Sequence, residues 1–271
     1  MAAAAARGEV DVSLITWLPA EDQELLASLY DYPVTIQTIP MATGTVNTNI
    51  HQGDTTIATT KLDRTPIEPQ DLDESMRATI AESDGVLLAP DLEEKISLAT
   101  VNYLAHDLGI KVSVNIGKCF RTLSDDGTLQ PRWPWPRQAE FLKHVETVFF
   151  SEEDIAVPLA NGESVLSLAR DLADQGPREI IVTQGSRGAF IYLAETNEGF
   201  DIPAYAPRQL VDPTGAGDTF IGAYLAKRME TDSAAEAGHY AAMAASLKLN
   251  YVGPLRETAE EIERALVEQR G

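Results

Sequence analysis

The chain has 271 residues, enough to bury one large core or two small ones. Its 44% hydrophobic and 23% charged residues are ordinary for a water-soluble protein, and no apolar run approaches the ~20 residues that cross a bilayer. Forty-two acidic residues against 21 basic ones give a formal charge of −21, which argues against nucleic acid or anionic membrane as a partner.

Cys119 is the only cysteine, so no internal disulfide forms. Residues 1–6 are alanine-rich but lack the basic stretch and long apolar run of a secretory signal, and both features predict a cytoplasmic protein. Only 7 of the 21 basic residues are lysine. The acidity therefore reads either as that of a merely acidic enzyme or as adaptation to high salt.

In chain order, residues 10–17 form a β-rich run, 21–29 a helical pattern and 34–39 a second strand, an order that predicts parallel pairing through a crossover helix. Two β-branched segments, 45–50 and 55–62, flank His51-Gln52-Gly53-Asp54, and Gly53 makes that link a hairpin turn. Few apolar residues alternate there, so the hairpin reads as a thin, partly exposed sheet. The pattern continues as helix 71–81, strand 85–89, helix 93–108 and strand 111–115. Asp125-Asp126-Gly127 is a turn, and the proline-spaced stretch 131–136 must be extended. Helix 137–144, strand 147–150, helix 164–174, strand 179–183 and strand 189–193 follow, and helices 217–228, 233–249 and 257–268 close the chain. Such alternation predicts a mainly parallel sheet with helices on both faces, in a single domain spanning residues 1–271.

The stretch Val211-Asp212-Pro213-Thr214-Gly215-Ala216-Gly217-Asp218-Thr219-Phe220 carries the chemistry. Gly215 and Gly217 leave backbone N–H groups uncovered at a tight turn, and the helix that follows adds a partial positive charge at its start. Together they make an anion site suited to phosphate oxygens. A carboxylate at Asp218 would repel a resting phosphate. It makes sense there if it takes a proton from an attacking hydroxyl while the amides stabilise the transferred phosphoryl group. The plainer alternative is that Asp218 caps the helix.

Other phosphate motifs fail on spacing. Gly117-Lys118 is followed by Cys119 and has Val112 where a Walker loop needs glycine. A dinucleotide fingerprint would need glycine where Phe220 stands. His51, His106, His144 and His239 are scattered and, with one cysteine, make no metal cluster; each reads as an ordinary polar or partly buried residue.

Asp-Pro-Thr-Gly-Ala-Gly-Asp-Thr-Phe resembles the C-terminal signature of the ribokinase-like (pfkB-type) carbohydrate kinases. The resemblance implies a ribokinase-like α/β fold with Asp218 as catalytic base and the amides of Gly215, Ala216 and Gly217 as the anion hole. Val182-Thr183-Gln184-Gly185-Ser186-Arg187-Gly188 resembles the family's strand-end loop along the nucleotide phosphates, which implies nucleotide contacts at Thr183, Gly185, Ser186 and Gly188. Read alone, those glycines are a hairpin turn. Phe149-Phe150-Ser151-Glu152-Glu153-Asp154 falls where the family has an Asn-x-x-Glu element that helps hold magnesium through water. Ser151 and Asp154 replace the usual residues, so Asp154 is the implied metal contact, through water, beside the reading of a solvated acidic helix start. The stretch 124–154 resembles the short branch that includes inositol kinases, and hairpin 45–62 then corresponds to a partial β lid. Residues 242–253 correspond to a region that contributes to the adenine pocket.

Family members begin with a strand carrying a substrate-binding aspartate and a paired-glycine segment. Here residues 1–7 resemble the tail of the helix after that segment. The natural protein is then short, or its start lies upstream, and the lost first strand would expose a sheet edge that invites a homodimer through that edge or the lid. The function implied is an ATP- and Mg2+-dependent phosphotransferase acting on a hydroxyl of a sugar, polyol such as inositol, or nucleoside. The alternative is a nucleotide-binding protein of kinase ancestry with little or no turnover.

Overall fold

A computed structural model describes residues 1–41, 46–52, 55–61, 65–90, 95–124 and 128–270. The chain opens with helix α1 (Ala2–Ala6), then strands β1 (Val12–Leu18), β2 (Val34–Pro40), β3 (Val46–Gln52) and β4 (Thr55–Lys61). Next come α2 (Glu74–Ala81), β5 (Gly85–Leu88), α3 (Leu98–Asn102), β6 (Lys111–Asn115), β7 (Arg121–Leu123) and β8 (Leu129–Pro131). The second half runs α4 (Gln138–Leu142), β9 (Thr147–Ser151), α5 (Ala156–Ala160), α6 (Val165–Ala173), β10 (Glu179–Thr183), β11 (Ala189–Leu193) and β12 (Glu198–Ile202). Helices α7 (Ala216–Glu230), α8 (Ala234–Lys248) and α9 (Ala259–Arg270) end it.

The central sheet has six strands in the order β12-β11-β10-β9-β6-β5. β5, β6, β9 and β10 are parallel, and β11 and β12 return antiparallel at one edge. Successive residues of the middle strands face opposite ways, as the pleat requires. Val148, Phe150, Ile180 and Val182 enter one apolar cluster with Met76, Leu142, Leu168 and Leu172 from α2, α4 and α6. Phe149, Ile181 and Ile191 enter a second cluster with Phe220, Tyr224, Ala237, Ala241 and Ile262 from α7, α8 and α9. Helices therefore cover both faces, which is why these strands read as unbroken apolar runs.

Helix starts follow their caps. Asp73, Ser97, Ser164 and Ser233 each accept an N–H from the residue three positions on, at the heads of α2, α3, α6 and α8. The Ser97 cap shortens the expected helix 93–108, whose start lies outside the described residues. α3 covers only Leu98–Asn102 and passes into a π-helical turn, Tyr103–Asp107.

β1 and β2 pair in parallel, as expected, but as a separate two-stranded sheet. The expected crossover α-helix is instead a 3₁₀ run, Ala20–Leu29, opened by Pro19 and burying no residue. With no apolar stripe to seat on the sheet, nothing enforces α-helical winding there. β3 and β4 form the expected antiparallel hairpin, Val46 opposite Lys61 and Gln52 opposite Thr55. The turn residues Gly53 and Asp54, and the Asp125-Asp126-Gly127 turn, lie outside the described residues. The sequence reading missed β12 and β7, the first bearing glycine and acidic residues and the second only Arg121–Leu123 long.

Candidate functional site

The candidate residues lie at the start of α7 and at the carboxyl ends of β9 and β10. Ser151 and Thr183, the last residues of those strands, are paired in register. The second half of α7 is tied to β10: the Tyr224 hydroxyl donates to Glu179 (2.8 Å), and the Arg228 guanidinium donates to both oxygens of the same carboxylate. Glu179 is the first residue of β10.

Gly215 makes the entry to α7 in the left-handed region, φ 78°. The first helical hydrogen bond runs from the Thr219 N–H to the Gly215 carbonyl (2.8 Å). The Ala216 N–H turns back to the Pro213 carbonyl (3.2 Å), so of the three amides expected in an anion hole this one is occupied. Helix geometry leaves the N–H groups of Gly217 and Asp218 facing outward without intrahelical partners. Both residues are exposed. Among the described residues the Asp218 carboxylate makes no hydrogen bond, so it is not held as a cap. Burial lowers the pKa of the Met1 amino group at the start of α1, and the nearby Asp218 carboxylate opposes that shift.

Thr183 ends β10, and Gly185, Ser186 and Gly188 lie in the loop that follows it. A 3₁₀ turn, Gly185–Arg187, closes on itself through Gln184 N–H to Gly188 O (2.7 Å) and Gly188 N–H to Gly185 O (3.1 Å). Arg187 forms an ion pair with Glu152, tying this loop to the turn after β9.

Comparison with known proteins identifies the family of the chain. The pfkB family of carbohydrate kinases matches residues 1–260. This chain belongs to that family. It is similar to the cytidine kinase of Thermococcus kodakarensis, 36% identical over 87 residues covering 32% of this chain and 31% of that one. It is also similar to the ribokinase of Haemophilus influenzae, 28% identical over 200 residues covering 69% and 58%. The matches to these curated relatives therefore span less than two thirds of their length. Among solved structures, a pyrophosphate-dependent kinase in the ribokinase family, complexed with a pyrophosphate analog and myo-inositol, superposes with a TM-score of 0.77 at 20% identity, covering 97% of this chain and 88% of that one. That likeness shows the ribokinase-like fold.

Within the pfkB frame, the Ser151-to-Asp154 segment holds itself together. Asp154 Oδ2 accepts from the Ser151 N–H (2.9 Å) and hydroxyl (2.7 Å), and Oδ1 accepts from Arg121 (3.1 Å). Its side chain is only 12% exposed, so this is a closed capping box and not a solvated acidic start. Oδ2 takes two donors and Oδ1 one, so Asp154 keeps acceptor capacity on Oδ1 for a water. Among the described residues no group of three or more His, Cys, Asp or Glu could hold a metal ion.

The region expected to contribute to the adenine pocket needs narrowing. Ala242, Met243, Ala244, Ser246 and Lys248 are buried inside the helical layer, which leaves only the end of that stretch open. There Val252 (66% exposed) lies beyond α8, while Leu210 (66%) and Val211 (44%) lead into the phosphate motif. The Val211 N–H donates to Leu249 O (2.8 Å) and the Gln209 N–H to Asn250 Oδ1 (2.9 Å), so the two segments are laced together. Sequence reasoning missed Leu210 and Val211 as a surface, because apolar residues before a motif look like ordinary strand residues until their exposure is known.

Proposed function

We propose that this chain transfers a phosphoryl group from ATP to a hydroxyl of a sugar, polyol or nucleoside, with Asp218 as the general base. The observation that carries the reading is the α7 N-terminus, where two outward N–H groups and one uncommitted carboxylate share a single turn. The acceptor hydroxyl gives its proton to Asp218 as its oxygen bonds to the γ-phosphorus. The bond from that phosphorus to the bridging oxygen breaks, and ADP leaves. The Gly217 and Asp218 amides face the charge on the transferred group, where a fixed donor acts without reorganising.

The loop carrying Thr183, Gly185, Ser186 and Gly188 lies along the remaining phosphates, and the exposed Leu210, Val211 and Val252 offer an apolar face to the base. Magnesium comes with the nucleotide phosphates, and Asp154 contacts it through water from Oδ1, which among the described residues accepts only from Arg121. Cys119, buried and the only cysteine of the sequence, fits a reducing cytoplasm. β5 has a strand only on its β6 side among the described residues, an edge through which a homodimer can form.

The closed capping box favours one other reading, a nucleotide-binding protein of kinase ancestry without turnover. The test is a panel of ATP and pyrophosphate as donors against ribose, cytidine and myo-inositol, followed by phosphorus NMR. ATP-dependent phosphorylation of one acceptor is the expected result. Pyrophosphate acting alone would correct the donor, and nucleotide binding without transfer would favour the binding-protein reading. Neither binding nor transfer would overturn both.

A further inference from the structure

Lys248, in the last turn of α8, is 2% exposed, an unusual place for an ammonium group. Its Nζ donates to the main-chain carbonyl of Asp212 (2.9 Å) and lies 3.4 Å from Oδ2 of the same residue. Asp212 is held from other sides too. Its Oδ1 accepts the Thr214 N–H (2.9 Å), and its own N–H, with that of Val211, donates to Leu249 O (3.3 and 2.8 Å). The Thr214 hydrogen bond holds the Asp212 carboxylate below its usual pKa, with the Lys248 ammonium adding to the effect. Three residues beyond Asp212 the chain makes the left-handed turn at Gly215 and enters α7.

We propose that Lys248 is a positioning residue for phosphoryl transfer: a cation built into α8 that fixes Asp212 and, through it, the turn presenting the Gly217 and Asp218 amides to phosphate. The inference rests on reading residues 215–218 as the phosphate site. A buried ion pair gives little net stability, because desolvation offsets the attraction. What this one supplies is geometry, since an ammonium bonded to both a carbonyl and a carboxylate of one residue leaves that residue a single setting. It also places a positive charge against Asp212, three residues before the Gly215 turn, in a chain whose net charge is strongly negative.

The test compares the affinities of ADP, pyrophosphate and adenosine by calorimetry, because adenosine carries the base and no phosphate. For Lys248→Met, ADP and pyrophosphate should bind roughly tenfold more weakly or worse, with adenosine unchanged. A merely structural lysine predicts equal losses for adenosine and ADP. As a second variant, Lys248→Ala should regain phosphate affinity with ethylammonium, which can donate the missing hydrogen bonds, and not with tetramethylammonium at equal ionic strength. Lys248→Met retaining the full preference for ADP over adenosine, or Lys248→Ala responding equally to both cations, would overturn the role of Lys248 alone. Wild-type protein that binds neither ADP nor pyrophosphate more tightly than adenosine would overturn the phosphate site itself, and the proposal with it.

Discussion

Gly188 has φ 101°, and a Cβ there would run into the Ile202 carbonyl and the Ala204 nitrogen. The phosphate-side loop is thus pressed against the end of β12, and only glycine allows the approach. Gly188→Ala should cost at least about 2 kcal/mol in denaturant unfolding, from clash and backbone strain together. An unchanged midpoint would mean the loop is free to move away. A second residue-scale device is the pair His144 and His106, whose Nδ1 and Nε2 atoms lie 2.9 Å apart. Burial is the main cause holding the His144 pKa down, with His106 and Lys143 adding to it. The unfolded chain then binds the proton more readily than the folded one. Stability from this site is intact above the ordinary histidine pKa of about 6.5 and is lost as pH falls below it. The melting temperature should drop on acidification through that window, and His144→Gln should flatten the drop; an identical slope in the variant would remove the pair as its source.

At the scale of elements, the aim of α7 depends on its far end. Glu179 accepts from Tyr224 and Arg228, and these side chains are largely removed from water. Burial, helped by Glu179, raises the Tyr224 pKa well above its ordinary value, so the phenol stays a donor at any working pH. Arg228→Ala leaves Glu179 without its cation and should cost about 2–3 kcal/mol, while Arg228→Lys should recover only part, lacking the forked geometry. Equal stabilities in a denaturant titration would show that α7 is held by its apolar face alone. Elements with strong local signals were legible in the sequence: β6, β10 and β11 fall on the expected residues, since apolar runs between turns leave little choice. Residues 21–29 misled because helical spacing without a surface to bury against does not specify an α-helix. The base motif was legible because its glycines act through the backbone, whereas Lys248, Arg121 and Glu179 act through partners more than 30 positions away, which spacing does not reveal.

Across the whole molecule, a formal charge of −21 on 271 residues sets strong self-repulsion against packing. Added salt screens that repulsion over about 10 Å at 0.1 M, so the melting temperature should climb as KCl rises from millimolar to molar levels. A flat or falling curve would leave simple acidity without salt adaptation. Helices pack on both sheet faces, and α7 is tied by Tyr224 to Glu179, the first residue of β10. The open N-terminus of α7 is the basis for reading this pfkB-family chain as a phosphotransferase. The most direct test is the rate of phosphoryl transfer by Asp218→Asn relative to wild type, with ADP affinity measured alongside. The account predicts a loss of ~10²-fold or more in rate with ADP affinity retained. Turnover equal to wild type, with any acceptor that the wild type uses, would contradict the assignment.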